Sequence, residues 1–140
     1  MDGILNCKVL TSGIGKGELL VTHQSISLWG GVDPARGIID DPRHELFERS
    51  ISAKVLAFPY GKGSAAAPLV MLELIKQGTA PAAIVNEETD PLLVAGPIIG
   101  RHFYKQAIPV VCLDHDNFVM LKAGQDAIVD GERGEVVIFP

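Results

Sequence analysis

Residues 54–64 read Lys54-Val55-Leu56-Ala57-Phe58-Pro59-Tyr60-Gly61-Lys62-Gly63-Ser64. The run 54–58 is short, apolar without alternation, and stopped by Pro59, as expected of a strand buried on both faces. Two glycines then mark a turn over 60–64. Beyond it the period changes to that of a helix over 69–77. Ala67, Met71, Leu74, Ile75 and Gly78 share one face, while Glu73, Lys76 and Gln77 lie largely opposite. Pro68 suits the first helical turn, Lys76 complements the C-terminal dipole, Gly78 is a natural C′ residue and Pro81 follows. The apolar run 82–86 is a second buried strand. Strand, glycine turn, helix and strand make a βαβ unit.

Downstream, Asp90-Pro91 is an N-cap and N1 pair opening a short helix. Gly96-Pro97 restarts the chain into a second short helix over 98–104. A buried strand covers 108–113, and 127–130 with 135–139 form a closing hairpin around 131–134. Upstream, strands are predicted at 4–10 and 18–22. The connection Ser12-Gly13-Ile14-Gly15-Lys16-Gly17 has GxGxG spacing and leads into a strand, so it is predicted as a hairpin or bulged connection and not a nucleotide loop. After 26–29 comes the tight segment Gly30-Gly31-Val32-Asp33-Pro34, then a short strand at 37–40 and a charged loop over 41–50 holding His44. A β-rich first half and a βαβ second half predict an α/β fold. It is a mixed sheet or barrel with a few helices on one side, in a single domain spanning 1–140.

With 47% hydrophobic and 21% charged residues, the 140-residue chain is globular and not disordered. At this size about two-thirds of the unfolded surface can be buried. A formal net charge of −5 argues against nucleic acid or an anionic membrane as a partner. No apolar run approaches the roughly 20 residues of a membrane span. The opening Met1-Asp2-Gly3 lacks the basic start of a signal peptide, so a cytoplasmic location is expected. Cys7 and Cys112 are far apart and without CxxC spacing. They are expected to be reduced thiols, with no zinc or iron–sulfur site made by this chain alone.

Chemistry concentrates at Tyr60-Gly61-Lys62-Gly63-Ser64. Gly61 and Gly63 let the backbone approach a ligand. The helix start that follows offers N–H groups and a positive dipole end for a carboxylate, phosphate or developing oxyanion. Lys62 adds a mobile positive charge. Ser64 is either a helix cap or a reactive hydroxyl. The Walker pattern and the GxSxG elbow are both absent. His23, His44, His102 and His115 fall in no metal or catalytic spacing. Trp29 is a core residue or the wall of a pocket. The acidic run Glu87-Glu88-Thr89-Asp90 is read as dipole complementation at a helix start, not as a metal site.

Taken together, Ser27-Leu28-Trp29-Gly30-Gly31-Val32-Asp33-Pro34, Gly61-Lys62-Gly63-Ser64, Ala80-Pro81-Ala82-Ala83-Ile84-Val85-Asn86 and Ile108-Pro109-Val110 resemble the aconitase X swivel-domain family. The resemblance runs from about Cys7 to Phe139. It implies a swivelling β/β/α domain that is the small subunit of an iron–sulfur hydro-lyase, paired with a large catalytic subunit in a heterodimer. The cluster is then expected on the large subunit, where an iron would polarise the departing hydroxyl, and no cofactor on this chain. The substrate implied is a small hydroxy acid. A basic Lys62 favours 5-phosphomevalonate, with cis-3-hydroxy-L-proline as the alternative. Ser64 matches the family's proton acceptor, and Gly61, Lys62 and Gly63 match the substrate-binding loop around it. The related aconitase loop continues with a second serine and an arginine, where Ala65 and Ala66 stand here. At His44-Glu45-Leu46-Phe47-Glu48 many relatives read His-Pro-Leu-x-Gly. The strands at the end of the chain are also similar to the phosphohistidine domain of phosphoenolpyruvate-utilising enzymes, but 87–92 holds no histidine to carry the phosphoryl group. A non-catalytic regulatory subunit is a third alternative.

Overall fold

The apolar stretch 4–10 forms two strands, not one, and the break closes the fold. β1 (Gly3–Asn6) and β2 (Lys8–Thr11) are separated only by Cys7, yet they occupy the two ends of one eight-stranded sheet. The computed structural model describes residues 3–62 and 66–139, without the side chains of Trp29 and Lys62. Next come β3 (Ile14–Val21), β4 (Ile26–Ser27), α1 (Leu28–Gly31), β5 (Val32–Asp33), β6 (Ile38–Ile39), β7 (Val55–Ala57) and β8 (Tyr60–Lys62). The second half holds α2 (Ala67–Gln77), β9 (Ala83–Asn86), β10 (Glu88–Thr89), α3 (Pro91–Tyr104), β11 (Val110–Cys112), α4 (His115–Phe118), β12 (Asp126–Asp130) and β13 (Glu135–Phe139).

The large sheet runs β1-β13-β12-β3-β7-β9-β11-β2. Its centre, β3-β7-β9-β11, is parallel, and the flanking pairs are antiparallel. Because β1 and β2 are contiguous in the chain, the sheet curls until its two edges meet at Cys7, whose N–H donates to the Gly134 carbonyl at 3.0 Å. The inner strands β7 and β9 are buried on both faces, which is why they read as unbroken apolar runs. Val55, Ala57, Ala83, Val85 and Val111 face one core, with Val129 and Val136 of the hairpin. Leu56, Ile84 and Val110 face the other, with Met71, Leu74 and Ile75 of α2 and Leu93 of α3.

The hairpin expected at the end of the chain is present, with Ala127 opposite Ile138 and Val129 opposite Val136. The helical face expected for α2 is buried, and Gly78 closes the helix in the left-handed region at φ 75°. Three expectations are corrected. The segment 12–17 is not a hairpin connection: Ile14–Gly17 already belongs to β3, which pairs with β12 and β7 and not with β2. Gly15 and Gly17 are needed there for space, since a β-carbon would meet the carbonyl of Ala82 at one and of Ala53 at the other. Residues 60–62 are a strand, not a turn. The two short helices expected after Asp90 are one 14-residue helix with Pro97 inside it.

Candidate active site

Parallel strands point their carboxyl ends to one edge, and ligands of such sheets bind there. Here that edge collects the segments after β3, β7, β9 and β11. A second, three-stranded parallel sheet ties them together in the order β10-β8-β4. Gly61 lies opposite both Ile26 and Thr89, and Lys62 lies opposite Ser27. The Ser27–Pro34 motif and the glycine loop, distant in sequence, are thus neighbours in space. Gly63 and Ser64 lie outside the described residues, as does the Lys62 side chain. The described chain on either side shows where the loop is held: it leaves β8 at Lys62 and enters α2 at Ala67.

The N-cap position of α2 falls on Ala66, at φ −89° and ψ −12°, with no side-chain cap. Gly61 is buried, and a β-carbon there would collide with Leu93 and lie 3.3 Å from Asn86 Oδ1. Its missing side chain admits these two neighbours beneath the loop.

Asn86, fully buried at the end of β9, organises that floor. Its Nδ2–H donates to the Phe58 carbonyl at 2.8 Å, and its Oδ1 accepts from the Thr89 hydroxyl at 2.8 Å. Thr89 Oγ1 also lies 3.2 Å from Cys112 Sγ. Since the hydroxyl proton is used on Asn86, the thiol is the donor in that last contact. One buried amide thus links the ends of β7, β9 and β11 below the strand that carries the loop. Sequence reasoning missed Asn86, Thr89 and Cys112. The only signal was a polar residue closing an apolar strand.

Around this floor, Glu87 Oε1 and His115 Nδ1 are 2.7 Å apart. The acidic stretch read as dipole complementation divides. Asp90 caps α3, accepting from the Leu92 N–H at 2.8 Å. Glu88 and Thr89 form β10. Among the described residues no three His, Cys, Asp or Glu side chains converge as a metal site. Cys7 and Cys112 are free. Burial above all, with charge repulsion from Cys112, Asp130 and Glu135, pushes the Cys7 thiol up to about 11. It stays protonated near neutral pH and is a poor metal ligand. The donor set described here does not fit an iron–sulfur cluster. No helix among the described residues is long and apolar enough to cross a membrane.

Comparison with known proteins follows the same outline. Residues 4–138 match the aconitase X swivel domain. The chain is 40% identical over 133 residues to the phosphomevalonate dehydratase small subunit of Methanosarcina mazei, covering 94% of this chain and 88% of that one. It is 40% identical over 106 residues to the cis-3-hydroxy-L-proline dehydratase of Pseudomonas aeruginosa, covering 76% of this chain and 18% of that protein. The crystal structure of Thermococcus kodakaraensis aconitase X in its holo-form superposes with a TM-score of 0.87 at 34% identity, covering 99% of both chains.

Proposed function

The chain belongs to the aconitase X swivel-domain family, and on that premise we propose that it is the small subunit of a phosphomevalonate dehydratase. As a single swivel domain spanning 1–140, it pairs with a large subunit in the cytoplasm. The pair removes water from 5-phosphomevalonate to give anhydromevalonate phosphate. The observation that carries this reading is the match to a phosphomevalonate dehydratase small subunit along 88% of that relative's length. Only 18% of the cis-3-hydroxy-L-proline dehydratase is matched, as one domain of a larger chain. Any iron–sulfur cluster belongs to the large subunit in this proposal.

Within the pair, this chain supplies the proton acceptor. Ser64 takes the C–H proton, and the departing hydroxyl is left to the partner's side of the site. A serine hydroxyl is a weak base unless its alkoxide is stabilised. Lys62, the Gly63 backbone and the positive end of the 11-residue helix α2 would provide that stabilisation. Gly61 serves by letting the loop pass over Asn86 and Leu93. A site split between two chains closes around substrate and excludes water.

The test is anaerobic co-expression with the large subunit, followed by assays of water loss from 5-phosphomevalonate and cis-3-hydroxy-L-proline. The expected outcome is turnover of the phosphorylated acid by the complex and of neither substrate by this chain alone. Turnover of cis-3-hydroxy-L-proline only, or turnover by the isolated chain, would overturn the proposal.

A further inference from the structure

The first ten positions of α3 read Pro91-Leu92-Leu93-Val94-Ala95-Gly96-Pro97-Ile98-Ile99-Gly100, without one charged or polar side chain. A helix apolar on every side is one that is covered on every side. Packing within this chain accounts for one side only. Leu93, Gly96, Pro97 and Gly100 are its buried positions, and Gly96 and Gly100 meet Met71 and Ile75 of α2. At about 100° per residue, Ala95, Ile98 and His102 fall on the opposite side, flanked by Leu92 and Ile99. Ile98 is 54% exposed and Leu92 41%. At the end of the helix Phe103 is 70% exposed, with the His102 ring edge-on to it at 4.9 Å. An exposed apolar face of this kind marks a contact surface.

Three observations say what covers it. The first is continuity with the candidate site. The Asp90 N–H donates to the Gly61 carbonyl at 3.2 Å, so α3 starts from the strand that leads into the Ser64 loop. A chain that reaches over the loop to complete the site meets α3 next. The second is the cis-3-hydroxy-L-proline dehydratase, in which the matching domain makes up 18% of one longer chain. There the domain is joined covalently to the rest of the protein, whereas this chain has to hold a counterpart by surface contact. The third is charge. Residues 91–113 hold Arg101 and Lys105 and no acidic residue, on a chain of net charge −5. Among the described residues neither cation pairs with a carboxylate, and the Arg101 guanidinium donates to the Ser12 hydroxyl. Beside Ile98 and Arg101 lies a cavity of about 230 Å³, with Leu10, Pro97 and Ile108 across from them, a hollow for an anchoring side chain.

We propose that the outer face of α3, from Leu92 to Lys105, is the docking surface for the large subunit. The large subunit meets it with an apolar centre and with carboxylates opposite Arg101 and Lys105. The inference rests on the small-subunit reading above and adds where the two chains join.

The experiment measures binding of the full chain to the large subunit by anaerobic calorimetry. Ile98→Glu should raise Kd roughly 30-fold or more, the loss at an interface hot spot. Ile4→Glu, which puts the same charge on an equally exposed residue of β1, should leave Kd unchanged. Arg101→Glu should slow association and flatten its salt dependence. The isolated Ile98→Glu chain should melt with wild type, and its kcat should recover when the large subunit is in excess. Hydrogen exchange of the wild-type chain needs no variant, and residues 91–104 should gain protection when the large subunit is added. Wild-type Kd in both Ile98→Glu and Arg101→Glu, or no gain of protection over 91–104, would overturn the surface. So would sedimentation of the chain alone as a dimer that Ile98→Glu dissociates, which assigns the face to a second copy. A complex that forms through α3 but dehydrates neither 5-phosphomevalonate nor cis-3-hydroxy-L-proline sinks the function and keeps the surface. Dehydration by an Ile98→Glu complex that assembles as tightly as wild type does the reverse.

Discussion

Asn86 is the residue on which the site's floor depends. Its amide is fully buried and both its polar atoms are used, on the Phe58 carbonyl and the Thr89 hydroxyl. Asn86→Leu keeps the volume and strands both partners. The expected cost is about 1–3 kcal/mol of stability, with a further loss of turnover as the loop shifts. Thermal melts and kcat of the complex check this, and a variant equal to wild type in both would refute the role. Little of this was legible in the sequence, because Phe58, which accepts from Asn86, and Cys112, which meets Thr89, come from other segments. The Glu48 position shows the opposite. Its φ of 67° lies in the left-handed region. A glycine would hold this conformation without the strain that Glu48 bears. The Glu45 carboxylate accepts from the Thr22 hydroxyl and the His23 N–H, bonds that hold the turn.

At the scale of elements, α3 shows where local signals mislead. Gly96-Pro97 reads as a break, since proline inside a helix removes one hydrogen bond and costs about 3 kcal/mol in isolation. The helix continues because packing on α2 decides. A β-carbon at Gly96 would stand 2.6 Å from Met71 Cβ and 3.4 Å from Pro68 Cα, so the glycine permits the close approach of the two helices. Gly96→Ala should therefore lower stability by about 1–3 kcal/mol, although alanine is the better helix former. Gly100→Ala should cost less, because its neighbour is the movable end of Ile75. Calorimetry compares the two, and a Gly96→Ala variant with a raised Tm would contradict the packing account. The strands β7, β9 and β11 and the helix α2 were legible because burial on two faces and a one-sided helical stripe write themselves into a single segment. The role of Gly15 and Gly17 was not, since it depends on the carbonyls of Ala53 and Ala82 arriving from elsewhere.

Across the whole molecule, the mixed sheet closes through Cys7, and four parallel strands gather their carboxyl ends under one small sheet. The candidate loop, the Ser27–Pro34 motif and the Asn86 floor are brought together by that topology. The sequence order of the motifs was enough to expect the family, while the small sheet that joins them depends on pairings of two or three residues that leave no pattern. In the proposed enzyme this chain contributes the proton acceptor to a site shared with a large subunit. The most direct test of that role is kcat of the assembled, cluster-loaded complex carrying Ser64→Ala. The account predicts a loss of roughly 10²–10⁴-fold with KM changed far less, as for removal of a positioned acid–base group. An assembled Ser64→Ala complex within about threefold of wild-type turnover, far short of that contribution, would contradict it.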